Sequence, residues 1–332
     1  MKVVDFPIDE QVGSYPASIA IDAFDPGLLA QHGVDGHTFV MAGEAVVARA
    51  SLWWRDTPKY EAERLGVIGH FAAQDKVAAE KLLTRLFKRL KAQGCTVAVG
   101  PMDGNTWRRY RFVSDPGDDL PFFLEPENPA RYPDYFVQAG FLPLAQYTSA
   151  RVTDLTLHDD RVPRAIERLK RDGIDWHPLE MSRFEQELRS IYRLSQKCFR
   201  KNFLYTPIEE TRFLEQYQAV APYVEPALTL MAERKGELLG YLFGIPDLNQ
   251  SKRGESVDTF IVKTVAALPE RRCAGLGSVL VAESHRIAHE QGYRYAIHAL
   301  MHESNQSRNI SAHYAHTMRR YTLYQKCLDS GS

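Results

Sequence analysis

The segment Val265-Ala266-Ala267-Leu268-Pro269-Glu270-Arg271-Arg272-Cys273-Ala274-Gly275-Leu276-Gly277-Ser278 decides how the chain is read. Just upstream, residues 260–266 form a short apolar, partly β-branched run, the pattern of a buried strand. Downstream, residues 278–291 place Val279, Leu280, Ile287 and Ala288 on one helical face, and Gly292 stands where that helix should stop. Residues 293–299 read as the next strand. The segment therefore joins a strand to a helix N-terminus. There the first N–H groups lack internal partners, and the helix dipole adds partial positive charge. Gly275 and Gly277 allow close backbone approach and positive φ. Arg271 and Arg272 add charge and donors. Residues Arg271, Arg272, Cys273, Ala274, Gly275, Leu276, Gly277 and Ser278 together predict a cradle for an anion such as a pyrophosphate.

The same order occurs earlier in the chain. Residues 65–73 read as a strand, and 76–93 as a helix with Leu82, Leu83, Leu86, Phe87 and Leu90 on one face. Gly94 ends that helix, and residues 96–99 read as a further strand. The repeat predicts two copies of one α/β unit. From Ala73 to Gly94 is 21 positions, whereas from Ala267 to Gly292 is 25, so the second copy is longer at the cradle. In the first copy the corresponding turn is Gln74-Asp75-Lys76-Val77, with no glycine and an acid that would repel phosphate.

The cradle is not a nucleoside triphosphate loop, since no lysine follows Gly277. It is not a dinucleotide fingerprint either, because Leu280 stands where the third glycine belongs. Arg272, Gly275 and Gly277 spell Arg-x-x-Gly-x-Gly. In its strand–loop–helix–strand setting this resembles the acyl-coenzyme A signature of the GNAT acyltransferase superfamily. Asn128 and the run Tyr135, Gly140 and Phe141 resemble that family's closing motif, now in the first half. The resemblance implies an α/β fold of two tandem GNAT-like domains, each a mixed, mostly antiparallel sheet flanked by helices. It places a degenerate domain lacking the pyrophosphate loop at 1–154, a linking helix at 155–172 and a domain with the acyl-CoA site at 173–332.

It also implies site roles. The fourth and fifth strands should splay, with the backbone around Thr264, Val265 and Ala266 bonding the pantetheine arm as an added strand. Asn305 takes the place of an asparagine that touches the coenzyme, or else caps a helix; Asn309 is a second candidate. Tyr314 stands where the acid that protonates the leaving thiolate is expected, although the Gly-Phe of the usual motif is missing here. Asp258, His298 and His302 lie near the expected centre, and the general base is left unassigned. Cys273 has no visible His–Asp context for a covalent mechanism and reads as a loop filler. The implied reaction is transfer of an acyl group from acetyl-CoA or another acyl-CoA to a small-molecule or peptide amine by direct attack.

Composition narrows the alternatives. The chain has 332 residues, 44% hydrophobic and 25% charged, an ordinary globular mix. Lys+Arg is 41 against Asp+Glu 42, a net charge of −1 that argues against a nucleic-acid partner. The segment Thr106-Trp107-Arg108-Arg109-Tyr110-Arg111-Phe112 mixes rings and guanidinium groups. It reads as structural, or as a site for a substrate anion. Residues 100–105 follow a strand end and are expected to line a pocket shared by both halves. No run of 18 apolar residues predicts a membrane span. The start, Met1-Lys2-Val3-Val4-Asp5-Phe6-Pro7, meets Asp5 and Pro7 before any apolar stretch, so no leader is expected. Cys95, Cys198, Cys273 and Cys327 are scattered, which predicts neither disulfides nor a metal site and fits a cytoplasmic protein. A non-catalytic acyl-CoA sensor or scaffold and a Fem-like aminoacyl transferase remain open, as does the oligomeric state.

Overall fold

The computed structural model describes residues 1–6, 8 and 20–328. Pro7 and residues 329–332, which figure in the readings above, lie outside them. Apolar runs build the first part of the chain into β1 (Lys2–Phe6), α1 (Gly27–Gln31), β2 (Gly36–Ala42), β3 (Ala45–Trp53) and β4 (Leu65–Ala73). Next come α2 (Lys76–Ala92), β5 (Val97–Gly100), β6 (Phe112–Asp115), α3 (Tyr132–Gln138) and β7 (Leu142–Val152). Helix α4 (Val162–Arg171) leads to β8 (Asp175–Pro178), α5 (Phe184–Phe199), α6 (Glu210–Gln218), β9 (Leu230–Arg234) and β10 (Glu237–Pro246). The chain ends with α7 (Leu248–Lys252), β11 (Thr259–Ala267), α8 (Leu276–Glu290), β12 (Tyr295–His302), α9 (Gln306–Ser311) and β13 (His316–Cys327).

The strand–helix–strand repeat is present twice. β4, α2 and β5 answer to β11, α8 and β12, and each strand pair is parallel within an otherwise antiparallel sheet. Helix α2 buries Ala78, Leu82, Leu83, Leu86 and Leu90, the stripe its spacing predicts. Asp75 caps α2, its carboxylate accepting from Ala78 N at 2.8 Å. The first unit thus fills its helix end with its own anion. At the matching place in the second unit a longer connection, residues 268–275, precedes α8.

Both parallel pairs come apart. β4 and β5 pair from Leu65↔Val97 only to Val67↔Val99, although β4 continues to Ala73. β11 and β12 pair from Thr259↔Tyr295 to Val262↔His298 and then separate. A register shift marks the parting in each unit. On β11, Lys263 is the extra residue between Val262, opposite Gly244, and Thr264, opposite Phe243. On β4 the shift falls at His70, whose φ is +48°. A bulge increases local twist and carries one strand away from its neighbour.

The final strands are exchanged. The described residues form one 13-stranded sheet in the order β1-β2-β3-β4-β5-β13-β7-β12-β11-β10-β9-β8, with β6 beside β13. β7, late in the first half, pairs with β12 (Ala296↔Val152, His298↔Ala150). β13, the end of the chain, pairs with β5 (Tyr324↔Gly100, Cys327↔Val97). The cores follow the exchange. Val152 packs in the cluster with Leu276 and Phe260, while Tyr324 and Leu328 pack with Leu82 and Phe136. A buried ion pair fastens the crossing: Arg319 on β13 binds Glu125, and Tyr321 OH binds the same carboxylate. In space, each unit's part of the sheet is completed by the other's last strand.

Candidate functional site

The cradle starts as a tight turn over Arg271–Cys273 and reaches α8 through Gly275. Gly275 is the N-cap residue with φ +76°, a left-handed conformation that favours glycine, and no side chain caps the helix. The first turn closes when Val279 N donates to Gly275 O at 3.0 Å. The N–H groups of Leu276, Gly277 and Ser278 therefore point out of the helix end with no intrahelical acceptor. A Cβ on Gly275 would lie 3.2 Å from Ala165 Cβ and 3.6 Å from Arg168 Nη2. Both neighbours belong to α4, which covers the turn, and Arg168 donates to the Ala274 carbonyl. At Gly277 a Cβ would stand 3.3 Å from Ile310 Cδ1 and 3.6 Å from Val265 Cγ1. The glycine thus lets α8 lie close to β11 and α9. Arg272 binds Glu270 at 2.6 Å and Glu237 at 3.3 Å, and Arg271 is exposed. Cys273 is buried, and burial pushes its thiol up, away from the nucleophilic thiolate.

Next to the cradle, in the gap left by β11 and β12, lies a cavity of about 320 Å³. That volume is at the lower end of small-molecule sites, roughly 300–1,000 Å³. Thr264, Val265 and Asn305 line it; Ala266 and residues 271–278 do not. Asn305 sits at the N-cap position of α9 but makes no capping bond, so its amide is not used by the helix. Tyr314 is also absent from the lining. It is buried edge-on to His285 at 5.0 Å, its hydroxyl has no partner among the described residues, and burial pushes it up to about 12.

The other wall comes from the first unit and from the connection between α5 and α6. Trp107, Tyr110, Arg111 and Tyr147 line it together with Phe203 and Tyr205, and the rings of Trp107 and Tyr205 meet edge-on at 6.0 Å. Trp107 Nε1 donates to Thr206 O at 2.8 Å, which pins the two walls together. The shared pocket expected from residues 100–105 is formed instead by residues that follow them. Pro101 and Asp103 line a second cavity, inside the first unit.

Lys263, at the bulge, is among the residues lining the cavity, and its ammonium donates to Leu124 O at 3.0 Å. Burial, with Arg111 nearby, lowers its ammonium to about 8. Sequence reasoning passed over it. Its signal was a single charge inside the apolar run Phe260-Ile261-Val262-Lys263-Thr264-Val265-Ala266. His298 lines the cavity but has both ring nitrogens engaged, with Ser311 Oγ and with His285 Nε2, each at 2.9 Å. Burial holds it down to about 4. His302 differs: its Nδ1 accepts the Ser304 backbone N–H at 3.1 Å. The neutral ring therefore carries its proton on Nε2, which has no partner among the described residues. Asp258 is tied to Gln250 at 2.8 Å and to Thr259 at 3.1 Å, away from the cavity. No group of three or more His, Cys, Asp or Glu among the described residues could hold a metal ion. No helix among them is long and apolar enough to cross a membrane.

Comparison with known proteins agrees with this geometry. Residues 188–315 match the family described as "Acetyltransferase (GNAT) family". A protein named bacterial ceramide synthase, from Caulobacter vibrioides, is 23% identical over 197 residues. That match covers 59% of this chain and 51% of the relative, so the chain spans about half the length of the curated relative it matches. Among solved structures, the glucosamine N-acetyltransferase region of a fungal multi-domain β-N-acetylglucosaminidase superposes with a TM-score of 0.54 at 14% identity. It covers 98% of this chain and 38% of that one. An Enterococcus faecalis protein of unknown function, titled a probable N-acyltransferase, superposes at 0.51 with 9% identity, covering 91% of this chain and 64% of that one. Residues 188–315 thus match the GNAT acetyltransferase family, and the fold of the chain, a mixed, mostly antiparallel sheet flanked by helices, is similar to that of solved acetyltransferase structures.

Proposed function

We propose that this protein is an N-acyltransferase that takes an acyl group from an acyl-CoA and passes it to an amine held between the two units. The observation that carries the reading is the continuity of three features. They are an uncapped glycine helix end, a gap between β11 and β12, and a cavity opening from that gap. The helix end fits a pyrophosphate, and the free strand edges of Thr264, Val265 and Ala266 fit an amide-bearing arm. Asn305, unused as a cap, adds a donor and an acceptor at the same place. When bound, the thioester supplies an activated acyl carbon. The protein's part is then to place the amine against it and exclude water. Lys263 and His302, at the parting of the strands, are the polar groups best placed to orient the reacting atoms or move a proton.

On this reading the first unit, residues 1–154, acts as the acceptor wall and not as a second coenzyme site. Asp75 at its helix end supports that division. The aromatic wall of Trp107, Phe199, Phe203, Tyr205 and Tyr217 favours an acceptor with an apolar body over a highly charged polymer. It also supports a narrower second reading. A ceramide is an N-acylated long-chain amino alcohol, and the Caulobacter relative is named for making it. A lipid amine with a long acyl donor is therefore the alternative to a small amine with acetyl-CoA.

The test measures thiol release from acetyl-, octanoyl- and palmitoyl-CoA with a panel of amines that includes a long-chain amino alcohol. Calorimetric binding of each acyl-CoA accompanies it. Amine-dependent thiol release supports the enzyme, and the acyl length that turns over fastest chooses between the two readings. Binding without turnover on any amine would leave a sensor and remove the transferase.

A further inference from the structure

Arg111 is 8% exposed, and its guanidinium makes no hydrogen bond or ion pair among the described residues. Its Nε and Nη1 are out of reach of solvent and find no acceptor. Among the described residues its polar contact is through the backbone, Arg111 N donating to Pro101 O at 2.8 Å. The rings of Tyr110 and Tyr147 lie 4.0 and 4.1 Å from its Cζ. Two rings against the guanidinium hold the charge in place and leave its edge donors as the groups free to bind. Buried donors are almost always paired in native proteins, and a buried unpaired cation is costlier still.

The surroundings show which partner would complete it. Arg111 lines the cavity beside β11 together with Lys263, and no aspartate or glutamate is among the described residues lining that cavity; Arg111 also borders the second cavity, with Asp103 and Glu127, but pairs with neither. His302 contributes a second unpartnered donor, Nε2–H, and its ring stands edge-on to Tyr147 at 4.9 Å. Glu125 faces Lys263 and Glu303 faces His302 from outside the lining, but within it two cations and an imidazole N–H stand without an acid and would disfavour a simple ammonium. They would accept a molecule whose amine is accompanied by a negative group. Arg111 comes from the first unit, among the aromatic residues of the lining that the reading above gives to the acceptor.

We propose that this cavity holds an oxyanion subsite built on Arg111, and that the acceptor is an amine bearing a carboxylate or phosphate group. The acceptor part of the proposal rests on the acyltransferase reading; the subsite does not.

The experiment has two arms on the full-length protein. In the first, NMR titrations with acetate and with inorganic phosphate use no acyl donor and compare wild type with Arg111→Gln and Arg111→Lys. Saturable binding of either anion by wild type, lost in Arg111→Gln and partly kept in Arg111→Lys, is expected. In the second, matched acceptors are compared in thiol release. The pairs are 4-aminobutyrate with 4-aminobutanamide, and phosphoethanolamine with ethanolamine. Wild type should prefer the charged member of at least one pair by about ten- to a hundredfold in kcat/KM, the worth of one charge-assisted bond. The pair that shows it separates carboxylate from phosphate. In Arg111→Gln the preference should collapse towards unity while the Kd for acyl-CoA holds. The Lys variant keeps the test open should the Gln variant fail to fold. Absence of both anion binding and preference in wild type would overturn the proposal. So would loss of acyl-CoA affinity in Arg111→Gln, which would make the coenzyme the anion. If no amine reacts, the first arm still decides the subsite, and only the acyltransferase reading has failed.

Discussion

Replacing Gly275 tests the cradle in two separable ways. Its φ of +76° costs an ordinary residue about 1–2 kcal/mol. An added Cβ would also press on Ala165 Cβ at 3.2 Å, a methyl with no rotamer to move away. Gly275→Ala should therefore unfold at lower urea, by about 1–2 kcal/mol, with the m-value unchanged. Gly275→Glu carries the same strain and adds a negative charge at the helix end. A unit charge about 5 Å from a phosphate is worth roughly 3 kcal/mol at an effective dielectric constant of 20. Gly275 is exposed, so solvent screening brings this down to about 1.5–3 kcal/mol, or ten- to a hundredfold in Kd. Isothermal titration of acyl-CoA into both variants, at low and high salt, reads the difference. The gap between Glu and Ala should narrow as salt rises, because the charge term is screened and the strain is not. A folded Gly275→Glu that binds acyl-CoA as tightly as wild type would refute the cradle. Equal losses in both variants with no salt dependence would show that strain, not an anion, governs the site.

Other expectations follow from buried charge. Lys263 is held near 8, below its ordinary 10.5, so between those values the unfolded chain keeps a proton that the folded state has released. Wild-type stability relative to Lys263→Met should rise with pH through that window; a constant gap would place the ammonium in water. His298 is held near 4 against 6.5, so the unfolded chain takes up its proton first as pH falls. Stability should drop from pH 6.5 to 4, and His298→Gln should have a shallower acid limb in thermal melts; equal slopes would contradict this. Arg319 and Glu125 have side chains only 2% and 1% exposed. Arg319→Met should cost about 3–5 kcal/mol in urea by stranding Glu125, and Glu125→Met added to it should recover most of that loss. A loss below about 1 kcal/mol would show that water reaches the carboxylate.

Much of the architecture can be read locally. Residues 65–73, 76–93, 260–266 and 278–291 were legible as strands and helices because burial on one face writes a period into the residues themselves. The repeat, the longer junction before α8 and the glycine helix end came from the same kind of signal. The site was legible in part. Thr264, Val265 and Asn305 do line the cavity, whereas Tyr314, placed by motif spacing, packs against His285 outside the lining. Lys263 was passed over because a bulge is a relation between two strands, and neither strand records it alone.

By itself, then, the sequence determined the two strand–helix–strand units, their order and the glycine-built end of α8, each a property of a few consecutive residues and their φ angles. The exchange of β7 and β13 was decided only in three dimensions. Backbone pairing accepts almost any strand, so the partner is chosen by which core completes its burial. The isolation of Arg111 belongs to that level as well. Its guanidinium pairs with none of the described acids, although Asp103 and Glu127 line a cavity that it borders, and only the folded protein settles where each carboxylate goes.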